Sequence, residues 1–484
     1  MQGLSGKHGR NDFLKNTCVI TAWFITSTIA TASLAQEVVS TAPNQPASNR
    51  ELQRQIDELS NELQELRTQQ NSAHAQSAAA NVEPQETDLG VRNEDIAQPT
   101  EQLQVIAGDG RADPYIDDTF KKSVPLFGSD WRFSFGGYSK IDLIQDFSGT
   151  GDKSQFILAS IPVDGNPPPG SYSNLQIRET RFSFDTRNTA SNYDNNRFYL
   201  EMDFFDENDS TAPRLRHAYF QYGNLLAGRT WTLLTELRAL PFLLDFAAGD
   251  SILGGRTEQI RWTQANAAKN FGWSVALENF DDEGIFNPQN VDGVARSDFP
   301  RLAFGLTRKW ARGLLSVGGA ITQLRWDGSN DIDDSSKTAY TVTAAGRVYI
   351  DTDNRNYLVA STGFTSGSIT DIITFANGEV PNASVDADGN LDVAEAWNAQ
   401  VGAHWEWNPK WSSNLSLAYA KITEVPQPFN PDFIKAGGSV HANVIYKFDE
   451  RISAGLELMH GDRTNVSDRD GDAQRMQFSL IYYF

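Results

Sequence analysis

The side chains of this sequence best suited to chemistry are arginines. Arg178 and Arg181 stand in LQIRETRFSFD, Arg197 in NNRFYLEMD, Arg214 and Arg216 in PRLRHAYFQYG, and Arg229 in LLAGRTW. A guanidinium is planar, always charged, and grips a carboxylate through two parallel N–H donors. In an extended chain successive side chains point to opposite faces. That rule sets Arg181 against Phe182 and Phe184, and puts Arg214 and Arg216 together against Leu215. Arg178 and Arg181 differ in parity, so a bulge or a strand end is needed to turn both the same way. Taken singly, each arginine would serve equally well as a structural ion pair in a polar interior. Taken as a set, they describe a basic wall.

The segment between Trp231 and Gly255 contains TELRALPFLLDFAAGDSILGG. Leu237, Leu240, Phe242, Leu243, Leu244 and Phe246 make it too apolar for an exposed loop, and the inside of a barrel would cover it. Glu236, Asp245 and Asp250 would bring acid to the side facing the arginines, and Arg256 just beyond would rejoin the basic side. Basic and acidic walls across an opening create a transverse field that orients charged solutes.

Other chemistry is poorly represented. The net charge is -21, which argues against nucleic acid as a partner, since phosphate binding needs clustered Lys and Arg. The one cysteine, Cys18, lies in a segment expected to be removed, so thiol catalysis and Cys-based metal sites are excluded. His217, His404, His441 and His460 are isolated. No nucleotide loop, zinc spacing or hydrolase elbow is present, and no cofactor or metal is expected. Asp386, Asp388, Asn390 and Asp392, and again Asp468, Asp470 and Asp472, have spacings a Ca²⁺ could use, but no calcium-hand helix accompanies them. They read as solvated loops, where divalent ions could bridge to lipopolysaccharide phosphates.

The elements that would position the arginines are strands. From Trp131 to Phe484 apolar and polar residues alternate between turn residues, predicting about sixteen strands: 131–146, 175–187, 195–206, 213–222, 224–230, 256–264, 271–279, 301–310, 312–326, 338–350, 355–367, 394–407, 410–423, 436–448, 450–461 and 473–484. Short and long connections alternate along the chain. A transmembrane β-barrel has this asymmetry and an even strand number, which brings both chain ends to the short-turn side, the periplasm. In the last strand Met476, Phe478, Leu480, Tyr482 and Phe484 share one apolar face. A terminal aromatic on such a strand resembles the signal read by the barrel-assembly machinery. Trp131, Tyr138, Trp405, Trp407, Trp411, Tyr482 and Tyr483 fit aromatic girdles at the membrane interfaces.

Three segments precede the barrel. Residues 1–35 have a basic leader (Lys7, Arg10, Lys15), an apolar stretch and Ser33-Leu34-Ala35, predicting a signal peptide cleaved after Ala35. Residues 36–70 are a polar lead and a helix whose Leu52, Ile56, Leu59, Leu63 and Leu66 make a coiled-coil seam of about two heptads. Residues 71–130 are an Ala-, Gln- and Pro-rich linker, and residues 131–484 are the barrel. The expected fold is all-β: a 16-stranded antiparallel transmembrane barrel carrying a short periplasmic coiled-coil helix.

The stretches LQIRETRFSFDTRN, PRLRHAYFQYGNLLAGRTWTLL and LPFLLDF…GGRTEQIRW resemble the DcaP-like trimeric outer-membrane porins, most strongly from Gly136 to Thr263. The resemblance implies homotrimers in the outer membrane of a Gram-negative cell, in contact with lipid and lipopolysaccharide. It also implies passive uptake of small anions such as dicarboxylates, with no enzymatic activity. Carried over by motif, the basic wall would be Arg181, Arg214, Arg216, Arg229 and Arg256. A sugar porin with a periplasmic coiled coil is the main alternative, but it would line its narrowest point with aromatics. A barrel enzyme would need a Ser–His pair on one strand face, and Ser near His217 or His441 gives no convincing one.

Overall fold

The computed structural model describes residues 123–484 apart from 127–129, 165–169, 189–195, 206–210, 248–251, 267–269, 281–283 and 298. The leader, the Leu52–Leu66 seam and the linker up to residue 122 therefore lie outside the described residues, as does Asp250.

Sixteen antiparallel strands form one closed barrel. They are β1 (Trp131–Ser148), β2 in two halves (Tyr172–Gln176 and Arg181–Asn188), β3 (Arg197–Asp203), β4 (Arg214–Tyr222), β5 (Leu225–Trp231), β6 (Arg256–Asn266), β7 (Phe271–Glu278) and β8 (Arg301–Trp310). The second half comprises β9 (Gly313–Gly328), β10 (Ser335–Tyr349), β11 (Tyr357–Ser366), β12 (Glu395–Asn408), β13 (Trp411–Glu424), β14 (Ile434–Lys447), β15 (Ile452–Asn465) and β16 (Asp470–Tyr483). Each pairs with its sequence neighbour, and β16 pairs back onto β1 with Leu143 opposite Phe478, so the main sheet closes on itself. These strands match the expected ones in number and order.

Period-two patterning decides which way each side chain points. On β16, Phe478, Leu480 and Tyr482 are exposed on the outside, while Gln477 and Ser479 are buried inside. The exposed outer band continues through Leu302, Phe304, Leu306, Leu315, Val317, Val342, Val401, Leu415 and Leu417. Such a band suits hydrocarbon, and the polar inner face suits a hydrated lumen. Trp405, Trp407, Trp411 and Tyr482 are exposed as a girdle requires, but Tyr138 and Tyr483 are not. Their parity turns both inward, where they pack with Phe242, Leu244, Ile445 and Ile481.

One rim is tight, with turns at Gly223-Asn224, Ala311-Arg312 and Pro409-Lys410, and both β1 and β16 reach their chain ends there. The opposite rim carries the long connections 149–171, 232–255, 279–300 and 367–394. Two of its connections, 329–334 and 466–469, are short, because the strands beside them extend to 14–16 residues and replace loop by ladder.

Three long connections turn into the barrel. Phe156, Leu158 and Ile161 from the first, Leu253 from the second, and Ile369, Ile372, Phe375 and Val380 from the third share one buried apolar cluster. Its wall is supplied by Ala396, Ala420, Ile422, Ile434, Met459 and Ala473 of β12–β16. Small alanines on the inner face leave room for the loop side chains. The sequence pattern foresaw one in-folded loop, and the structure has three.

Candidate functional site

The arginines of β2, β3 and β4 share the inner face of one wall. β2 breaks between its halves at Ile177–Thr180, where Thr180 N donates to Ile177 O at 2.9 Å. The break turns Arg178, Glu179 and Arg181 all inward, which answers their difference in parity. Across it, Gly137 of β1 has φ +145°, and a Cβ there would lie 2.1 Å from Arg181 O. Only glycine lets the two backbones approach so closely. On β4 the register against β3 skips one residue, with Glu201 opposite His217 and Met202 opposite Leu215. This bulge turns both Arg216 and His217 inward.

The wall is a ladder of paired charges. Arg214 forms a two-pronged contact with Asp203 (Nε–Oδ1 2.9 Å, Nη2–Oδ2 2.7 Å). Arg216 bridges Glu201 at 2.7 Å and Asp203 at 3.0 Å. Arg181 lies 3.8 Å from Glu179, and Arg178 donates to Ser154 at 2.8 Å. Towards the tight rim, Asp185 accepts from Arg187 at 2.7 Å and from Arg197 at 2.8 Å. Arg216 is 2% exposed and Arg181 7%, whereas the Arg214 side chain is 31% exposed and is the open member of the group.

Arg181, Arg214 and Arg216 are thus brought together, and Arg256 lies half-buried beside them, with Arg216, Arg214, Asp203 and Arg181 as its charged neighbours; Arg229 is placed differently. Arg229 lies opposite Glu258 and binds it at 2.6 Å. Its neighbours in the same alternation are Ala227, opposite Phe220 and Ile260, both exposed on the outer face. Buried Leu226 belongs to the other face, so Arg229 points out of the barrel, not into the basic wall. Arg256 opposes Trp231 and lays its guanidinium over that indole at 4.8 Å.

The described residues of the 232–255 segment lie inside the barrel. Leu233 and Leu234 pack on Ala276, Ala303 and Ala320 of β7–β9. Farther on, wall side chains hold the loop backbone: Asn443 donates to Phe242 O at 2.9 Å, Gln477 to Leu244 O at 2.8 Å, and Leu244 N donates to Glu457 at 2.6 Å. Lys140 also donates to Leu244 O and pairs with Glu179. Among the described residues of the loop, Glu236 and Asp245 do not sit opposite the arginines as free carboxylates. Glu236 accepts from Arg238 at 2.8 and 2.9 Å. Asp245 is 1% exposed and accepts from the backbone N–H groups of Phe156 and Ala247, both at 3.0 Å. Both acids fold the loop. What the segment presents to the wall is Phe246, which stacks on Phe205 at 4.2 Å.

Residues the pattern reading passed over do much of this positioning. Arg301 on β8 binds Asp371 at 2.6 Å and Glu278 at 2.9 Å, tying the 367–394 connection to the wall. Arg475 on β16 binds Asp146 at 2.8 Å and Thr150 at 2.5 Å, holding the 149–171 connection. Lys140, Arg301 and Arg475 are each followed by an apolar residue (Ile141, Leu302 and Met476), as inner-face residues often are, and that signal was available in the sequence.

The acidic run at Asp386 closes its own turn. Its carboxylate accepts from the backbone N–H groups of Asp388 at 3.0 Å and Asn390 at 2.8 Å, which holds it below the usual carboxylate range. Asp468 pairs with Lys435 at 2.7 Å. Among the described residues no group of His, Cys, Asp and Glu is arranged to hold a metal.

The model of the DcaP outer membrane protein family matches residues 116–484. Among solved structures, the outer membrane channel DcaP of Acinetobacter baumannii is similar over 75% of this chain and 99% of its own, at 18% identity and a TM-score of 0.64. OmpT of Vibrio cholerae matches at 13% identity and a TM-score of 0.45, covering 74% of this chain and 99% of its own. OmpF of Salmonella typhi matches at 10% identity and a TM-score of 0.45, covering 75% of this chain and all of its own. No curated protein sequence matches the chain.

Proposed function

The chain belongs to the DcaP outer membrane protein family, and from that premise we propose that it is an outer-membrane channel for passive passage of small anionic solutes, dicarboxylates among them. The observation that carries this reading is the gathering of Arg181, Arg214 and Arg216 on one inner wall, with Arg214 open. Barrels of 16–18 strands leave an aqueous channel. Here the in-folded loops fill the side of β12–β16, so a solute passes along the side of β2–β4. A carboxylate entering there meets guanidinium donors of matching geometry.

The tight rim is assigned to the periplasm, with the long connections outside the cell, following the usual asymmetry of such barrels. A homotrimer is part of the same proposal. β3 and β5 have only 7 residues each, against 14 in each of β12–β16. Seven residues at about 3.3 Å each, tilted about 40°, rise roughly 18 Å, short of an apolar band of about 25 Å. Lipid is a poor match for that low wall, and the outward Arg229–Glu258 pair is a poor match for hydrocarbon. A neighbouring copy of the chain would cover both.

The test is the purified mature protein in planar bilayers under a KCl gradient at moderate salt. The expected result is a reversal potential on the anion side and block of the chloride current by succinate. A cation-side potential without succinate block would overturn the proposal.

A further inference from the structure

The guanidiniums of the inner wall are stacked as well as paired. The Phe246 ring lies 5.7 Å from the Arg181 guanidinium, 5.4 Å from that of Arg214 and 5.5 Å from that of Arg216. Phe205, against which Phe246 stacks, carries Arg178 at 5.0 Å and Arg214 at 5.7 Å. Phe246 is half-buried, and Arg181 and Arg216 lie beneath it, buried. In one respect, shared with Arg256, Arg181 differs from Arg178, Arg214 and Arg216. Its Nε–H is buried without a hydrogen-bond partner among the described residues, and its nearest carboxylate is Glu179 at 3.8 Å.

We propose that Arg181 and Phe246 form a carboxylate subsite, in which Phe246 determines specificity by favouring carboxylates with an apolar body over compact hydrated anions. This rests on the reading of the wall as the solute path. Its logic is geometric. An aromatic ring covers the face of a guanidinium, whereas a carboxylate binds its edge, in the plane of the N–H donors. The two contacts do not compete. A carboxylate with a hydrocarbon chain takes the vacant Arg181 edge while its chain lies along Phe246, the partly exposed ring of the pair. Sulfate or chloride has no such body. At the same edge it sheds hydration with no apolar contact to offset the cost. The loop's contribution to selectivity is therefore an apolar surface, Glu236 and Asp245 being consumed in folding it.

The experiment compares sulfate, succinate and suberate as blockers of chloride current through the mature protein in planar bilayers. All three carry the same charge and differ in apolar body. Wild-type protein should rank suberate above succinate and succinate above sulfate. In Phe246→Ala the suberate-to-sulfate ratio should fall by about fivefold, the scale of one stacked contact, and chloride conductance should rise. Phe246→Leu keeps most of the apolar volume and should retain part of the ratio, which covers the case of an Ala variant that fails to assemble. An unchanged ratio in an assembled Phe246 variant overturns the subsite, and it leaves the channel reading standing if Arg214→Gln still moves the reversal potential. A wild type that does not favour anions removes the reading beneath both.

Discussion

Arg214→Gln is the sharpest test of the inner wall. Arg214 is its open guanidinium, and its loss leaves Asp203 still held by Arg216 at 3.0 Å. The change thus removes one positive charge without stranding a buried carboxylate. A solute passing about 6 Å away, at an effective dielectric constant of about 40, loses about 1.4 kcal/mol of attraction. Screening over a Debye length of about 10 Å at 0.1 M salt reduces that to roughly 0.8 kcal/mol. A cation gains what an anion loses, so the anion-to-cation permeability ratio should fall by about tenfold. The assay is the reversal potential across a KCl gradient near 0.1 M, where the shift should be tens of millivolts towards cations; at molar salt it should nearly vanish. An unchanged potential in an assembled variant would refute the placement of this wall on the solute path. Replacing Arg216 as well would confuse the result. Arg216 is buried on Glu201 and Asp203, and breaking a buried pair costs about 3–5 kcal/mol, so the barrel itself would suffer.

Two further expectations follow from side chains outside that wall. Arg229→Glu places two acids together on the low outer wall and should turn trimers into monomers on unheated gels, with Glu258→Arg in the same chain restoring them; a single variant that stays trimeric would move the contact elsewhere. Glu457→Ala removes a buried carboxylate that accepts from Leu244 N, His441 and Asn443, so it should lower stability by about 2–4 kcal/mol and make single-channel traces noisier as the loop loosens; an unchanged Tm and quiet traces would count against the loop's being held there.

What the sequence could reveal depended on how far each signal reached. Alternation identified sixteen strands and the shared face of Arg214 and Arg216, because it is local and repeats every two residues. It failed at Arg229 for a local reason as well. LLAGRTW has apolar or small residues at both parities, so nothing in it marks an inner face, and the motif carry-over placed Arg229 with the wall. Glu236 and Asp245 show a different limit. An acid in a loop reads as a pore charge until its acceptors are known, and these two serve a neighbouring arginine and backbone N–H groups. Arg475 and Asp146 meet across the barrel seam, 329 positions apart, and Arg301 meets Asp371 at a separation of 70. No window along the chain contains both members of such a pair.

The ladder is close to balanced, with Arg178, Arg181, Arg214 and Arg216 set against Glu179, Glu201 and Asp203. Balance in number does not mean neutrality where a solute passes. Glu201 and Asp203 are wholly buried at the foot of the wall, on short stems. Arg214 stands on a longer stem and reaches past them, so the group left open at the surface of the wall is a cation. A solute on the proposed path meets Arg214 first. Field from the buried acids reaches it from farther away and partly cancelled. The acids hold the guanidiniums in a fixed direction, which long side chains in a hydrated opening would otherwise lose to rotamer entropy. On the proposed solute path, such a wall is compatible with an anion preference in a chain whose net charge is -21, because charges more than about 10 Å from a solute are largely screened at 0.1 M salt.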